Sequence, residues 1–176
     1  MDFKQLAAAR RSIRKFSSRK VEREMAEELM LTTLTAPSSR NSRSTRLVAI
    51  DNPEHIARIA QMRDSGAAFV AGAPLVILVM GDRTQTDLWL DNAAISATYL
   101  MLATADKGLG SCWVHVNGRP RVKAAPEEGT AEEYLREFLP IPEECSVLCA
   151  VAIGYPDYEP KPLPEFDPTT KMEWIE

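Results

Sequence analysis

Arg10, Ser12 and Arg14 stand at alternate positions in the stretch RRSIRKF (10–16). In an extended chain, side chains at i, i+2 and i+4 face one side. Two guanidiniums with a hydroxyl between them suit a phosphate, or a planar ring with carbonyl acceptors, because forked donors match both geometries. A second polar loop, Pro37-Ser38-Ser39-Arg40-Asn41, concentrates short hydrogen-bonding side chains. Such side chains can meet phosphate or ribose-like oxygens, or simply close a turn. Other chemistries lack their residues. No GxGxxG follows a strand, and there is no P-loop signature and no GxSxG elbow. His55 and His115 lie 60 positions apart, so no metal centre is expected. Cys145 and Cys149 sit in an apolar run and are expected in the core. His115, in a strand, reads as a general base or as a structural histidine.

The elements that must position these groups follow from pattern. Residues 2–10 predict a short helix with Asp2 at its start and Arg10 at its end, the favourable dipole arrangement. The RSIRKF stretch then runs extended. Residues 22–35 predict a second helix, with Met25, Leu29 and the Leu31/Leu34 pair at helical spacing. LVAID (47–51) predicts a strand, and Pro53 opens a helix reaching about Met62. The continuous apolar runs at 74–81, 110–116 and 145–154 predict strands, the first and last of them covered on both faces. From Asp87, its expected N-cap, to Lys107, with Gly108 as the stop, runs a helix whose stretch 88–105 is apolar at 13 of 18 positions. It is expected to be buried all round, with Ala93, Ala94, Ser96 and Ala97 permitting close approach of a second helix. An acidic amphipathic helix falls between the last two strands. The expected architecture is α/β or α+β in three layers.

One domain is expected for 176 residues, with 155–176 as an extended tail. Phe166, Trp174 and Ile175 in that tail are expected to lie along another surface. Three cysteines make no disulfide framework, and no signal peptide or membrane span is expected, so the location expected is cytoplasmic. Net charge is −4, yet residues 1–50 carry 11 basic against 5 acidic side chains. A basic cluster on an acidic chain fits a local anion site and not a nucleic acid.

RRSIRKF, APSSRNS (36–42), DNAAISATYLMLATADKGLGSCWV (91–114) and AIGYP (152–156) occur in an order that resembles the FMN-dependent nitroreductase family. The resemblance implies an α+β fold with a mixed, mostly antiparallel sheet flanked by helices. It also implies a homodimer with two FMN at the subunit interface, the helix 87–107 forming much of the contact. By the same resemblance, Arg10, Arg11, Ser12 and Arg14 match the flavin-binding run. Arg10 and Ser12 would hold the phosphate, and Arg14 the pyrimidine edge. Pro37, Ser38, Ser39 and Asn41 match the loop reaching that flavin from the other subunit. The segment Trp113-Val114-His115-Val116 falls where backbone amides of the family meet the ring, with His115 and Val116 where many members have Gly-Gly, or an acidic residue and Gly. Lys161 matches a basic tail residue that reaches the phosphate.

Where many members read N-x-Q-P-W, this chain reads Asn41-Ser42-Arg43-Ser44-Thr45, which implies a more polar and cationic pocket mouth. The implied activity is hydride transfer from NAD(P)H through flavin N5 to a nitroaromatic, quinone or similar electron-poor acceptor, by ping-pong turnover. No catalytic side chain is required, since the cofactor carries the redox chemistry. Reductive dehalogenation, ring dehydrogenation and a flavin-binding module without turnover stand as alternatives.

Overall fold

A computed structural model describes residues 2–161, 164, 165 and 167–175. Among them are α1 (Phe3–Ala9), α2 (Arg23–Thr33), β1 (Thr45–Ile50), α3 (Pro53–Ile59) and β2 (Leu75–Asp82). They are followed by α4 (Trp89–Asp106), β3 (Gly110–His115), α5 (Ala131–Arg136) and β4 (Cys145–Gly154). The four strands form one antiparallel sheet in the order β1-β2-β4-β3.

Alternation along the two central strands builds a core on each face. Val76, Leu78 and Met80 pack with Ile56 and Ile59 of α3 and Leu135 of α5. Leu75, Ile77 and Val79 pack with Leu29 of α2 and Ala93, Ala97 and Leu100 of α4. The result is three layers, α+β, as the sequence predicts. These side chains have almost no exposure, so truncating one such as Leu78 to Ala costs about 2–5 kcal/mol. One residue breaks the alternation. The register steps from Val79↔Cys149 to Met80↔Val147, which leaves Leu148 as an extra residue in β4. The Leu148 carbonyl accepts from both Val116 N–H (3.0 Å) and Asn117 N–H (3.2 Å), and so it ends β3 and turns the chain.

Local signals set the helix ends. Asp2 and Gln5 form a capping box on α1, and Thr130 and Glu133 form one on α5. Asn52 caps α3 ahead of Pro53. Gly108, at φ +70°, ends α4 in the left-handed region that other residues avoid. Three expectations need correction. Asp87 does not cap α4: Leu88 takes that position, its N–H bonded to Thr86 Oγ1 at 3.1 Å. Trp89 packs so closely on Gly81 that a Cβ there would lie 2.6 Å from its ring, so packing sets where this helix starts. Nor is α4 buried all round. Asn92, Ala93, Ser96, Ala97, Leu100 and Thr104 are covered, whereas Leu90, Ile95 and Tyr99 are exposed. Leu31 and Leu34 likewise face outward, at 68% and 50% exposure.

Trp174 and Ile175 are 87% exposed, clear of the chain's own surface. Phe166 lies outside the described residues. Among the described residues no helix is long and apolar enough to cross a membrane.

Candidate functional site

The RRSIRKF segment leaves α1 and lies along the start of β3. Ser12 bridges Ser111 in parallel, and Ile13 N–H donates to Ser111 C=O at 3.0 Å. Gly110 makes this approach possible, since a Cβ there would sit 2.7 Å from Ile13. Ile13 is buried, which turns its neighbours in sequence outward. Arg14, Ser12 and Arg10 all bear on the Cys112 thiol and pull its pKa down against the larger upward push of burial. All three therefore lie near one thiol. The Arg14 guanidinium also lies 5.8 Å from the Phe69 ring centroid, a cation–π contact.

Arg11 does something else. It donates to the carbonyls of Ala8 and Arg10 and, at 3.4 Å, of Lys161. It therefore ties the end of α1 to the tail, and it brings Lys161 beside the cluster.

β3 is an edge strand, and its open side faces away from β4. Ser111 points to that side, because its carbonyl accepts from Ile13, so alternation sends Trp113 and His115 there too. Val114 faces β4 and pairs with Ala150, and Val116 N–H is bonded to Leu148. Of the amides of Val114, His115 and Val116, the structure places only that of His115 on the open edge. Trp113, the first residue of the expected segment, adds an N–H and a C=O. The reason is strand phase: adjacent residues cannot all point one way.

At the end of this edge Arg63 Nη1 donates to the His115 carbonyl at 3.3 Å. The imidazole lies parallel to Trp113, 6.0 Å between centroids and 8° between planes. Burial first, then the charges of Arg119 and Arg63, hold His115 below its ordinary pKa, which favours its neutral form.

The second loop lies at the start of β1. Ser38 opens a short turn (Ser39–Asn41), and Arg40, Asn41 and Arg43 all have positive φ, near 50°. Asn92, buried in α4, organises it. Its Oδ1 accepts from Ser39 N–H at 2.8 Å, and its Nδ2 donates to Ser44 Oγ at 2.9 Å and Ser42 Oγ at 3.1 Å. Arg43 N–H donates to Ser38 Oγ at 2.9 Å, and Arg43 Nε reaches Asn41 Oδ1 at 3.3 Å. The arginine expected at a pocket mouth is thus turned back on Asn41. Pro37 is exposed beside them.

Within one chain the two loops do not meet. Thr45 pairs with Gly81 at one end of the sheet, while Ser111 pairs with Ile153, the partner of Leu75, at the other end and the opposite edge. Six residues along and three strands across amount to roughly 24 Å. Helix α4 runs between the same points, from Asn92 at the Ser39 loop to Thr104, whose hydroxyl donates to Ser111 Oγ at 2.9 Å. At 1.5 Å per residue that is roughly 18 Å.

Asn92 could have been found in sequence as the lone amide in an apolar helix. Nothing in sequence marks Arg63, which is 52 positions from His115.

In this layered α+β fold, guanidiniums thus stand beside an open sheet edge that presents backbone donors. The sequence profile described as the nitroreductase family matches residues 7–65 and 61–155. A structure of an FMN-dependent nitroreductase from Clostridium difficile is 33% identical, with a TM-score of 0.89, over 97% of this chain and 98% of that one. A protein of Methanothermobacter thermautotrophicus, provisionally named NADH dehydrogenase/NAD(P)H nitroreductase, is 28% identical over 96% of this chain and 84% of its own length. A protein of Desulfovibrio desulfuricans, provisionally a nitroreductase and solved in complex with FMN, shares the fold at 23% identity and a TM-score of 0.77 over 100% and 97% of the two chains. The chain belongs to the nitroreductase family.

Proposed function

We propose that the protein is an FMN-dependent oxidoreductase that works as a homodimer with two flavin sites, oxidising NAD(P)H and reducing a nitroaromatic, quinone or similar acceptor. The observation that carries this reading is the row of donors at β3. Arg10 and Arg14 stand beside the open N–H groups of Trp113 and His115, and among the described residues neither arginine pairs with a carboxylate. Such a donor set fits a phosphate joined to a ring with carbonyl acceptors. The names of the relatives supply the cofactor and the reductant.

Bound FMN would supply the redox chemistry, linking NAD(P)H oxidation to reduction of the acceptor in a ping-pong sequence. The chain's own groups bind and orient. Arg10 and Ser12, with Lys161 beside them, hold the phosphate. Arg14 places fixed positive charge at the pyrimidine edge, favouring negative charge there. Trp113 N–H and C=O and His115 N–H fix the ring against the strand. Ser38, Ser39 and Asn41, with Pro37, complete the site from the second subunit, because one chain holds them too far from Arg14. The exposed Leu90, Ile95 and Tyr99 of α4, with Leu31 and Leu34, give that subunit an apolar surface to cover.

Purified protein is expected to be yellow, to release FMN on denaturation, and to sediment at twice 19.6 kDa. NAD(P)H oxidation is expected to depend on an added acceptor, which separates an enzyme from a flavin carrier. A colourless monomer sinks the proposal.

A further inference from the structure

The edge of β3 carries positive charge at both ends. Arg10 and Arg14 gather at Ser111, whereas Arg63 and Arg119 gather at His115, four residues or roughly 13 Å further along. Arg63 is half-buried and spends one N–H on the His115 carbonyl, leaving the rest of its fork for another acceptor. Arg119 is exposed in the turn that Leu148 enforces. Among the described residues neither arginine pairs with a carboxylate, in a chain whose net charge is −4. The other charged groups of these segments are engaged elsewhere. Asp64 accepts from Lys123 N–H at 2.9 Å, and Arg121 stacks on Tyr134. A phosphate held at Arg10 and Ser12 leaves this far pair unmatched.

We propose that Arg63, Arg119 and the His115 imidazole form an anion subsite for the carboxylate of an electron-poor aromatic acceptor. This rests on the flavin oxidoreductase reading above and adds the class of acceptor. A guanidinium fork matches a carboxylate in two parallel hydrogen bonds. The neutral imidazole adds a third donor, and Trp113 beside it offers an apolar face for an aromatic body. The subsite is linked to protons. After burial, the two arginines are what holds the His115 pKa down, so a carboxylate bound between them offsets their part and raises it.

The test uses the flavin-loaded protein. The chain has only two histidines, so His55→Gln assigns the His115 proton resonance in an NMR pH titration. Adding 4-nitrobenzoate is expected to move the His115 midpoint upward, whereas nitrobenzene leaves it in place. In turnover, Arg119→Gln is expected to lower the kcat/KM ratio of nitrobenzoate to nitrobenzene severalfold, with the largest effect at low salt. Arg63→Gln is expected to do the same, and the exposed Arg119 keeps the test open if that variant folds poorly. Reduction of nitrobenzoate with no movement of the His115 midpoint overturns the subsite and leaves the flavin reading intact. An unchanged nitrobenzoate ratio with a fall in kcat/KM for NADPH relative to NADH also overturns it, by assigning the anion to the reductant's phosphate. Failure to bind FMN or to reduce either compound overturns both.

Discussion

Around Arg10–Arg14 the polar side chains find few partners within the chain, whereas around Ser38–Arg43 nearly every one is already bonded. Among the described residues Arg14 has only the Ser12 carbonyl at 3.5 Å and the Phe69 ring. Asn92 alone holds Ser39, Ser42 and Ser44. The second loop also carries strain, since left-handed backbone at a non-glycine residue costs roughly 1–2 kcal/mol. A loop that keeps three such residues needs a buried anchor. The first region thus holds donors for a ligand, and the second holds a fixed shape. Substitutions in the first should therefore read out in binding, and loss of the second region's buried anchor, Asn92, in stability.

The sharpest test sets Arg14 against its neighbour. Arg14→Ala is expected to weaken FMN binding by about 1.5–3 kcal/mol, roughly ten- to a hundredfold, with little change in Tm. Lys15→Ala, turned the other way, should do far less. Equal flavin affinities measured for the two variants break the extended reading of this segment.

The converse is expected at Asn92. Asn92→Leu strands the Ser39 N–H and the Ser42 and Ser44 hydroxyls, costing about 1–3 kcal/mol, or roughly 3–10 °C in Tm for a chain of this size. Calorimetry that finds Arg14→Ala as destabilising as Asn92→Leu removes the contrast.

A smaller effect concerns pH. His115 is held below its unfolded pKa, so between the two values the unfolded chain binds more protons. Stability should be full above about pH 6.5 and fall as pH drops through the lowered folded value. In His115→Gln this part of the slope should vanish, which denaturant titrations at several pH values will show. An unaltered slope places the proton uptake elsewhere.

Smallest is Arg43. Its side chain is exposed and bonded to Asn41, so Arg43→Gln should alter nitrobenzoate selectivity by no more than about 1 kcal/mol, and by less than Arg119→Gln does. A larger effect at Arg43 returns it to the pocket mouth.

The sheet and the first region were readable because their signals are local. Apolar runs mark β2 and β4, capping residues mark α1, α3 and α5, and simple alternation groups Arg10, Ser12 and Arg14, which lie near one thiol. The Leu148 bulge was hidden because CSVLCAVAIG is apolar on both faces, leaving no phase marker to break. Strand phase likewise withheld which of Val114, His115 and Val116 could offer an amide. The exposed side of α4 escapes the sequence for a different reason: Leu90, Ile95 and Tyr99 are as apolar as core residues, and composition does not say which of them the chain covers. Arg63 and Asn92 act across the fold, where sequence spacing carries no information.

Helix α4, standing between the two loops, has a genetic consequence. In the proposed dimer, defects in Arg14 and in Asn41 would damage different halves of one site. If the two halves come from different chains, Arg14→Ala and Asn41→Ala proteins, each weak alone, should complement when mixed. A mixed pair joins the intact Arg14 of one chain to the intact Asn41 of the other at one site and collects both lesions at the second. Flavin binding recovered after co-refolding, and absent when each variant is refolded alone, would make the protein's smallest genetic unit of function smaller than its polypeptide.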